Sequence, residues 1–207
     1  RFLMKTLFLL LSLCAPFVLI AQPLTAEQAT QFKAQLIAKT RTLQTMQADF
    51  QQKKHLDFMS KDIETFGKMA FAKPSQLNWQ YTKPYQYRII FQKDNITVND
   101  AGKVSQIKAD NKVFKKINHL IISSVTGDMF DEKEFTISLL QSGKHTLVKL
   151  LPKDKTLLKY IREINLYFDA QYLVDRVKLI EPTADYTEII FTNKKLNTSI
   201  DEANFKI

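Results

Sequence analysis

Residues 63–91 read IETFGKMAFAKPSQLNWQYTKPYQYRIIF. Within this stretch, large apolar side chains recur at every second position, which is the period of a β-strand with one buried face. Pro74 and Pro84 interrupt the alternation, because a proline lacks the N–H that an inner strand donates to its neighbour. The pattern therefore predicts three consecutive strands: Ile63–Phe71, Leu77–Tyr81 and Tyr85–Phe91.

The same period of two continues on both sides of this stretch. Met46, Ala48 and Phe50 share one face of a preceding strand, and Asp100-Ala101-Gly102 marks the turn of a following hairpin. Further strands are expected at Met46–Gln51, Asn95–Asn99, Lys103–Ile107, Phe135–Leu140, His145–Leu151, Ile161–Asp169, Leu173–Ile180 and Asp185–Thr192. Roughly ten short strands joined by short turns favour an antiparallel sheet that curls or closes into a barrel.

Two helical segments interrupt the strands. Thr25, with Gln28 three residues later, forms a capping box, and apolar residues at helical spacing follow it. A second apolar stripe of helical period runs through residues 113–125, and Gly127 ends it. The fold class is therefore mainly β (α+β). No linker, repeat or low-complexity segment divides residues 22–207, which we expect to form a single domain.

The N-terminal segment has the pattern of a secretory signal peptide. Met4-Lys5 supplies positive charge, residues 7–20 are almost all apolar, and Ala21-Gln22 offers a cleavage point after a small residue. The apolar run is too short to cross a bilayer comfortably, so we expect residues 1–21 to be cleaved; an uncleaved anchor is the alternative. Cys14 follows a leucine rather than a small residue, which argues against acylation, and its removal leaves an exported chain without disulfides.

The charge balance is basic. The sequence has 30 lysines and arginines against 21 acidic residues, and removal of Arg1 and Lys5 with the signal leaves 28 against 21, a net charge of +7. A basic exported protein is suited to anionic lipid head groups or to an acidic partner. The scattered lysines are equally typical of an ordinary solvated surface, so charge alone leaves the partner open.

Motifs of catalysis, metal binding and nucleic-acid binding are missing from the sequence. His55, His119 and His145 lie far apart and on different predicted elements, without metal-ligand spacing. There is no nucleophile elbow, phosphate loop or dinucleotide fingerprint, so neither an enzyme nor a cofactor is expected. Arginines are few and the aromatic residues follow the strand period rather than alternating with basic residues, which argues against nucleic acid.

One apolar face remains to be explained. It comprises Leu77, Trp79, Tyr81, Tyr87, Ile89 and Phe91. Such a face is ordinarily packed core, but a curled sheet too wide to be filled by side chains can enclose a ligand cavity instead. Periodicity does not decide between the two.

Four stretches of the chain resemble a known family. They are Ala48–Lys53 (ADFQQK), Gly67–Pro74 (GKMAFAKP), Leu77–Pro84 (LNWQYTKP), and Leu151–Lys153 together with Asp201–Phe205. The chain is similar in these segments to the LolA-type periplasmic carriers of outer-membrane lipoproteins. The likeness covers nearly all of residues 22–207 and is weakest between Asn95 and Leu140.

The resemblance implies both a fold and a function. The fold would be an incomplete β-barrel, a curled antiparallel sheet with helices as a lid over a hydrophobic cavity. A monomeric periplasmic carrier would take acylated lipoproteins from an inner-membrane ABC transporter to an outer-membrane acceptor. The cavity-lining residues would be Phe50, Met69, Phe71, Leu77, Trp79, Tyr87, Ile89 and Phe91, with Phe114, Ile117 and Ile121 on the lid helix.

The lid gate of this family is an arginine before a proline. Here Lys73 precedes Pro74, and a lysine keeps the charge without the planar fork of donors, so a weaker hold on the lid is expected. Alternatives stay open. The chain could carry another amphiphile, such as a glycolipid or a pathway-specific lipid, or act as a maturation factor for one pathway, or it could be a structural or sensor module with a filled core.

Overall fold

The alternating segments form one continuous antiparallel sheet in the computed structural model, which describes residues 21–92, 95–108 and 130–207. Within these ranges the sheet has twelve strands. They are β1 (Gln22–Pro23), β2 (Thr45–His55), β3 (Ile63–Ala72), β4 (Gln76–Lys83), β5 (Tyr87–Gln92), β6 (Asn95–Asp100), β7 (Lys103–Lys108), β8 (Phe135–Ser142), β9 (His145–Pro152), β10 (Glu163–Phe168), β11 (Val174–Ile180) and β12 (Tyr186–Leu196). The expected fold class, a curled antiparallel sheet with helix, is confirmed.

The order of strands in the sheet is β1-β8-β9-β10-β11-β12-β2-β3-β4-β5-β6-β7. Two meanders, β2 to β7 and β8 to β12, are therefore joined side by side through the pairing of β12 with β2, which places Phe191 opposite Phe50. This pairing connects residues far apart in sequence, so local pattern does not predict it. The two-residue strand β1 was also not predicted, and it pairs with β8.

The first predicted helix is present as α1 (Ala26–Thr42). Its capping box is confirmed, because the Gln28 N–H donates to Thr25 Oγ1 at 3.2 Å and the Thr25 N–H donates to Gln28 Oε1 at 2.9 Å. The helix buries Phe32 and Leu36 against the sheet. The second predicted helix, residues 113–125, lies outside the described residues, as do residues 1–20. No helix in the described part is long and apolar enough to span a membrane.

The predicted strand boundaries hold to within a few residues, and the start of β5 changes the position of one predicted inner-face residue. Tyr85 was expected to begin the strand that ends at Phe91, but β5 begins at Tyr87. β4 continues to Lys83, so Pro84–Gln86 are used as the turn between the two strands. Tyr85 is consequently exposed instead of sharing the inner face.

The apolar inner face of the sheet packs as two clusters. One joins α1 to the β8–β11 side through Phe32, Leu36 and residues such as Leu150 and Phe168. The other lies on strands β2 to β6 around Trp79. Phe191 of β12 packs against both clusters, which brings the two halves of the curled sheet toward each other.

Candidate functional site

A cavity of about 270 Å³ lies between the two halves of the sheet. Strands β2 to β5 form one wall, β10 to β12 form the other, and the last turn of α1 covers part of it. Its lining residues are Lys39, Thr40, Leu43, Met46, Gln52, Met69, Leu77, Trp79, Tyr81, Ile89, Phe91, Ile161, Ile164, Leu166, Tyr172, Leu173, Val174, Val177, Leu179, Thr187, Ile189 and Phe191. Most of these side chains are aliphatic or aromatic, so the cavity is suited to an apolar ligand.

The residues expected on the cavity wall fall into three groups. Met69, Leu77, Trp79, Ile89 and Phe91 line the cavity. Phe50, Phe71 and Tyr87 belong to the packed cluster beside it and do not line it. Phe114, Ile117 and Ile121 lie outside the described residues.

Phe50 is withdrawn from the cavity because its ring packs between its neighbours. It stacks on Trp79 with ring centroids 4.2 Å apart and meets Tyr81 edge-on at 5.4 Å. Gly67, opposite Phe50 on β3, makes room for this ring, since a Cβ at position 67 would overlap both the Phe50 ring and the Gln80 carbonyl oxygen. Phe50 thus stabilises the position of the Trp79 ring through this stacking contact.

Trp79 occupies a central place in the wall. Its side chain is only 7% exposed, and Phe191 of the opposite wall meets it edge-on at 6.0 Å. Aromatic pairs in this geometry are favourable beyond the area that they bury. The indole therefore bridges the two halves of the sheet at the cavity.

Sequence reasoning missed the second wall of the cavity. Ile164 and Leu166 on β10, Val177 and Leu179 on β11, and Ile189 and Phe191 on β12 all line it. Each pair has the same spacing of two that identified Leu77 and Trp79. The signal was present, but only the long-range pairing of β12 with β2 places these residues opposite the first wall.

Polar groups on the wall are few, and one pair is joined by a hydrogen bond. Tyr81 Oη donates to Gln52 Oε1 at 3.0 Å, and burial raises the pKa of the Tyr81 phenol. The phenol is therefore neutral at physiological pH. A neutral, hydrogen-bonded pair adds no charge to this part of the wall.

Lys73 holds the end of α1 that covers the cavity. Its ammonium donates to the carbonyl oxygens of Thr40 at 2.9 Å and Arg41 at 3.3 Å, and its backbone N–H donates to the Gln44 carbonyl at 2.9 Å. The last carbonyls of a helix lack partners within the helix and carry partial negative charge, which a lysine complements. Thr40 also lines the cavity, so Lys73 ties part of the cavity cover to the sheet.

Asn197 provides a second attachment at the same helix end. Its side-chain amide donates to the Thr42 carbonyl at 3.0 Å and accepts from the Gln44 N–H at 2.7 Å. Pro74, which was predicted to form the gate together with Lys73, is exposed and follows it through a cis peptide bond. The α1 terminus is thus held from β3 on one side and from the end of β12 on the other.

A charged cluster lies across strands β9 to β12, and its side chains are not among those that line the cavity. His145 Nε2 lies 2.7 Å from Asp175 Oδ2, and Lys194 Nζ donates to Asp175 at 3.1 Å and to Asp169 at 2.6 Å. Burial raises the pKa of Asp175, but the hydrogen bonds from His145 and Lys194 outweigh it and hold that pKa below its usual value. Within the described residues, no group of three or more histidines, cysteines or acidic residues is arranged to hold a metal.

The family model of "Outer membrane lipoprotein carrier protein LolA" matches residues 41–207. The chain belongs to the LolA family. The match begins at the last turn of α1 and includes every strand that lines the cavity. The resemblance identified from the sequence is thereby confirmed.

Curated relatives are named outer-membrane lipoprotein carrier proteins. An outer-membrane lipoprotein carrier protein of Chromobacterium violaceum is 26% identical over 98% of this chain and 93% of its own length. One of Pseudomonas putida is 26% identical over 87% of this chain and 84% of its own. A solved structure of the Pseudomonas aeruginosa MucA/MucB complex has a TM-score of 0.51 and 10% identity, covering 87% of this chain and 61% of that one. This last likeness shows the fold alone.

Proposed function

We propose that this chain is a periplasmic carrier that holds the acyl chains of lipoproteins released from the inner membrane and delivers them to the outer membrane. The apolar cavity beneath the end of α1, in a LolA-family chain, is the observation that carries the proposal. Each methylene of an acyl chain left in water costs about 0.8 kcal/mol, so an aqueous crossing requires such a shelter. Residues 1–21 act as the export signal and residues 22–207 as one monomeric domain.

The cavity must widen to accept cargo with several acyl chains. Its volume of about 270 Å³ lies just below the range of about 300–1,000 Å³ that is usual for ligand pockets. For this cover to lift, the hydrogen bonds of the Lys73 ammonium to the Thr40 and Arg41 carbonyl oxygens must break. Closure that is weak enough to reverse allows the carrier to release its cargo at an acceptor.

As a carrier, the protein catalyses no reaction. It acts without a cofactor or metal and does not bind nucleic acid. Its partners are acylated lipoproteins, an inner-membrane ABC transporter that loads it, and an outer-membrane acceptor that unloads it.

A release assay tests the proposal. Spheroplasts with radiolabelled lipoproteins are incubated with residues 22–207, and soluble label bound to the protein is measured. We expect the wild type to release label and Trp79→Asp to release none, because the substitution places a charge on the apolar wall. No release by folded wild-type protein would overturn the proposal.

The single tryptophan gives a direct reading of cavity occupancy. Trp79 is the only tryptophan in the sequence and lines the cavity. A bromine atom on an acyl chain quenches indole fluorescence only at contact distance. We therefore expect a brominated acyl lipopeptide to quench Trp79, whereas its unbrominated counterpart binds without quenching.

A second candidate is the carriage of a single-chain anionic amphiphile. Lys39 lies on the cavity wall near the helix end, and the cavity, at about 270 Å³, is small. The same quenching assay separates the two candidates. A brominated fatty acid that binds more tightly than the lipopeptide, and loses its affinity in Lys39→Gln, would favour this second function.

A further inference from the structure

Most of the large apolar side chains that are exposed among the described residues lie at one end of the strands. Because all neighbouring strands are antiparallel, the ends of β2, β4 and β9 lie at the same end of the sheet as the beginnings of β3, β5 and β10. The exposed apolar residues at or near this end are Phe58, Met59, Ile63, Phe66, Tyr85, Val104, Leu151, Leu158 and Tyr160.

The loop of residues 153–162, between β9 and β10, combines this apolar exposure with positive charge. Its sequence is KDKTLLKYIR, which has four basic residues against one aspartate. Tyr160 is 56% exposed and Leu158 is 38% exposed, whereas Leu157 and Ile161 are buried. The loop therefore presents an aromatic and an aliphatic side chain outward between lysines while two apolar side chains anchor it.

The conformation of this loop is well supported by hydrogen bonds. The Asp154 carboxylate accepts from the N–H groups of Thr156 at 3.0 Å and Leu157 at 2.9 Å, which starts a short 3-10 helix at Leu157–Lys159. The N–H groups of Tyr160 and Ile161 both donate to the Leu157 carbonyl at 2.9 Å. The one acidic side chain of the loop thus turns back onto the loop's own backbone. Lys153 is turned toward the neighbouring acidic segment 131–134, where its Nζ donates to the Glu132 carbonyl at 2.6 Å, so Lys155, Lys159 and Arg162 supply the loop's outward positive charge.

The loop is also continuous with the cavity wall. Ile161 lines the cavity, while its neighbours Tyr160 and Arg162 are exposed at the surface. Ile164, three residues further on, lines the cavity as well. The surface that the loop exposes and the cavity wall are therefore formed by adjacent residues of the same segment.

We propose that residues 153–162 are a membrane-surface contact that binds bilayers containing anionic phospholipid. Lysines attract an anionic membrane surface, tyrosine is favoured at the membrane–water interface, and a protruding leucine enters the acyl boundary. The exposed apolar side chains add a hydrophobic contact with the acyl boundary of the bilayer to the electrostatic attraction of the lysines. Phe58, in the connection between β2 and β3 at the same end of the strands, is 83% exposed. The contact places the cavity wall close to the membrane surface at which the proposed transporter or acceptor exchanges the cargo.

Vesicle sedimentation tests the contact with residues 22–207 and no cargo. Binding is expected to vesicles of phosphatidylethanolamine with about one-third phosphatidylglycerol, and to weaken with added salt, but not to neutral phosphatidylcholine vesicles. Lys155→Glu/Lys159→Glu should lower the partition coefficient about tenfold or more. Leu158→Ser/Tyr160→Ser should also weaken binding, although it leaves the charge unchanged.

Two lysines at the opposite end of the strands provide a matched control variant. Lys144 and Lys195 are both exposed there, so Lys144→Glu/Lys195→Glu changes the net charge equally without touching the loop. Retained vesicle binding by this control supports the proposal. Equal loss in the control, or no binding of the wild type to anionic vesicles, would overturn it. Trp79 quenching by brominated lipopeptide should be the same in all these variants, which separates failure of the membrane contact from failure of the carrier function.

Discussion

Lys73 is the residue at which the hold on the cavity cover can be measured. Lys73→Met removes the ammonium that donates to Thr40 and Arg41, and we expect the free energy of unfolding to fall by about 1–2 kcal/mol. Cargo should also dissociate faster, because the end of α1 is held less firmly. Urea unfolding and the rate of recovery of Trp79 fluorescence measure the two effects.

Two further variants control this prediction. Lys73→Arg should restore stability, since a guanidinium can donate in several directions to both carbonyls. Lys68→Met removes an exposed lysine of the same strand and should leave unfolding and cargo dissociation close to wild type. If Lys68→Met had the same effect as Lys73→Met, the loss would reflect general charge and not the hydrogen bonds to α1.

Gly67 is required for space rather than for backbone conformation. A methyl group in Gly67→Ala would overlap the Phe50 ring and the Gln80 carbonyl oxygen, so we expect a loss of stability of about 1–3 kcal/mol. Thermal unfolding of the variant measures it. Replacing Phe50 by leucine removes the overlap with the ring but leaves the overlap with the Gln80 carbonyl oxygen. Phe50→Leu/Gly67→Ala should therefore remain less stable than Phe50→Leu alone. Equal stability of these two variants would contradict the role of the carbonyl contact.

At the scale of elements, the charged cluster connects strands β9, β11 and β12. The pairing of β10 with β11 passes from Tyr167–Arg176 to Phe168–Val174, and Asp175 is the extra residue of this bulge. The bulge lets one carboxylate meet His145 of β9 and Lys194 of β12. Strands that are not direct neighbours are thereby connected through one side chain.

Because of this cluster, the free energy of unfolding should decrease at acidic pH. The pKa of Asp175 is lower in the folded chain than its usual value of 3.8, so the folded state favours the ionised carboxylate. Its contribution is fully present above pH 3.8 and is lost as the pH falls through the lowered pKa. Urea unfolding from about pH 6 to about pH 3 should therefore show a shallower decline in Asp175→Asn than in wild type. Parallel curves for the two proteins would contradict this role of Asp175.

At the scale of the whole molecule, the function depends on an unfilled volume between the two walls. Val177 lies on the second wall, and Val177→Phe would place an aromatic ring into the cavity. We expect about tenfold weaker quenching by brominated lipopeptide, with a change of less than about 1 kcal/mol in the free energy of unfolding, because the ring enters empty space. Val104→Phe, at an exposed position, is the control and should bind cargo normally. Equal binding by both variants would place the cargo elsewhere.

The first wall could be predicted from sequence because its pattern is local. Leu77, Trp79, Ile89 and Phe91 alternate on two strands that are joined by a short turn. Strand period and proline positions are sufficient to place such residues on one face. The same reasoning placed Phe50 on that face, but it could not show that a neighbouring ring would keep Phe50 away from the cavity.

The amino-acid sequence by itself determined the fold class, the N-terminal cap of α1, most strand boundaries and the family, since all of these depend on neighbours along the chain. Only the tertiary structure decided that β12 pairs with β2, that the strands from β10 to β12 supply the second wall, and that a cavity remains between the walls. Whether an apolar face is core or cavity depends on how the two halves of the sheet meet. Contacts between residues that are distant in sequence decide how far apart the two halves of the sheet lie. Periodicity along the chain contains no information about this separation.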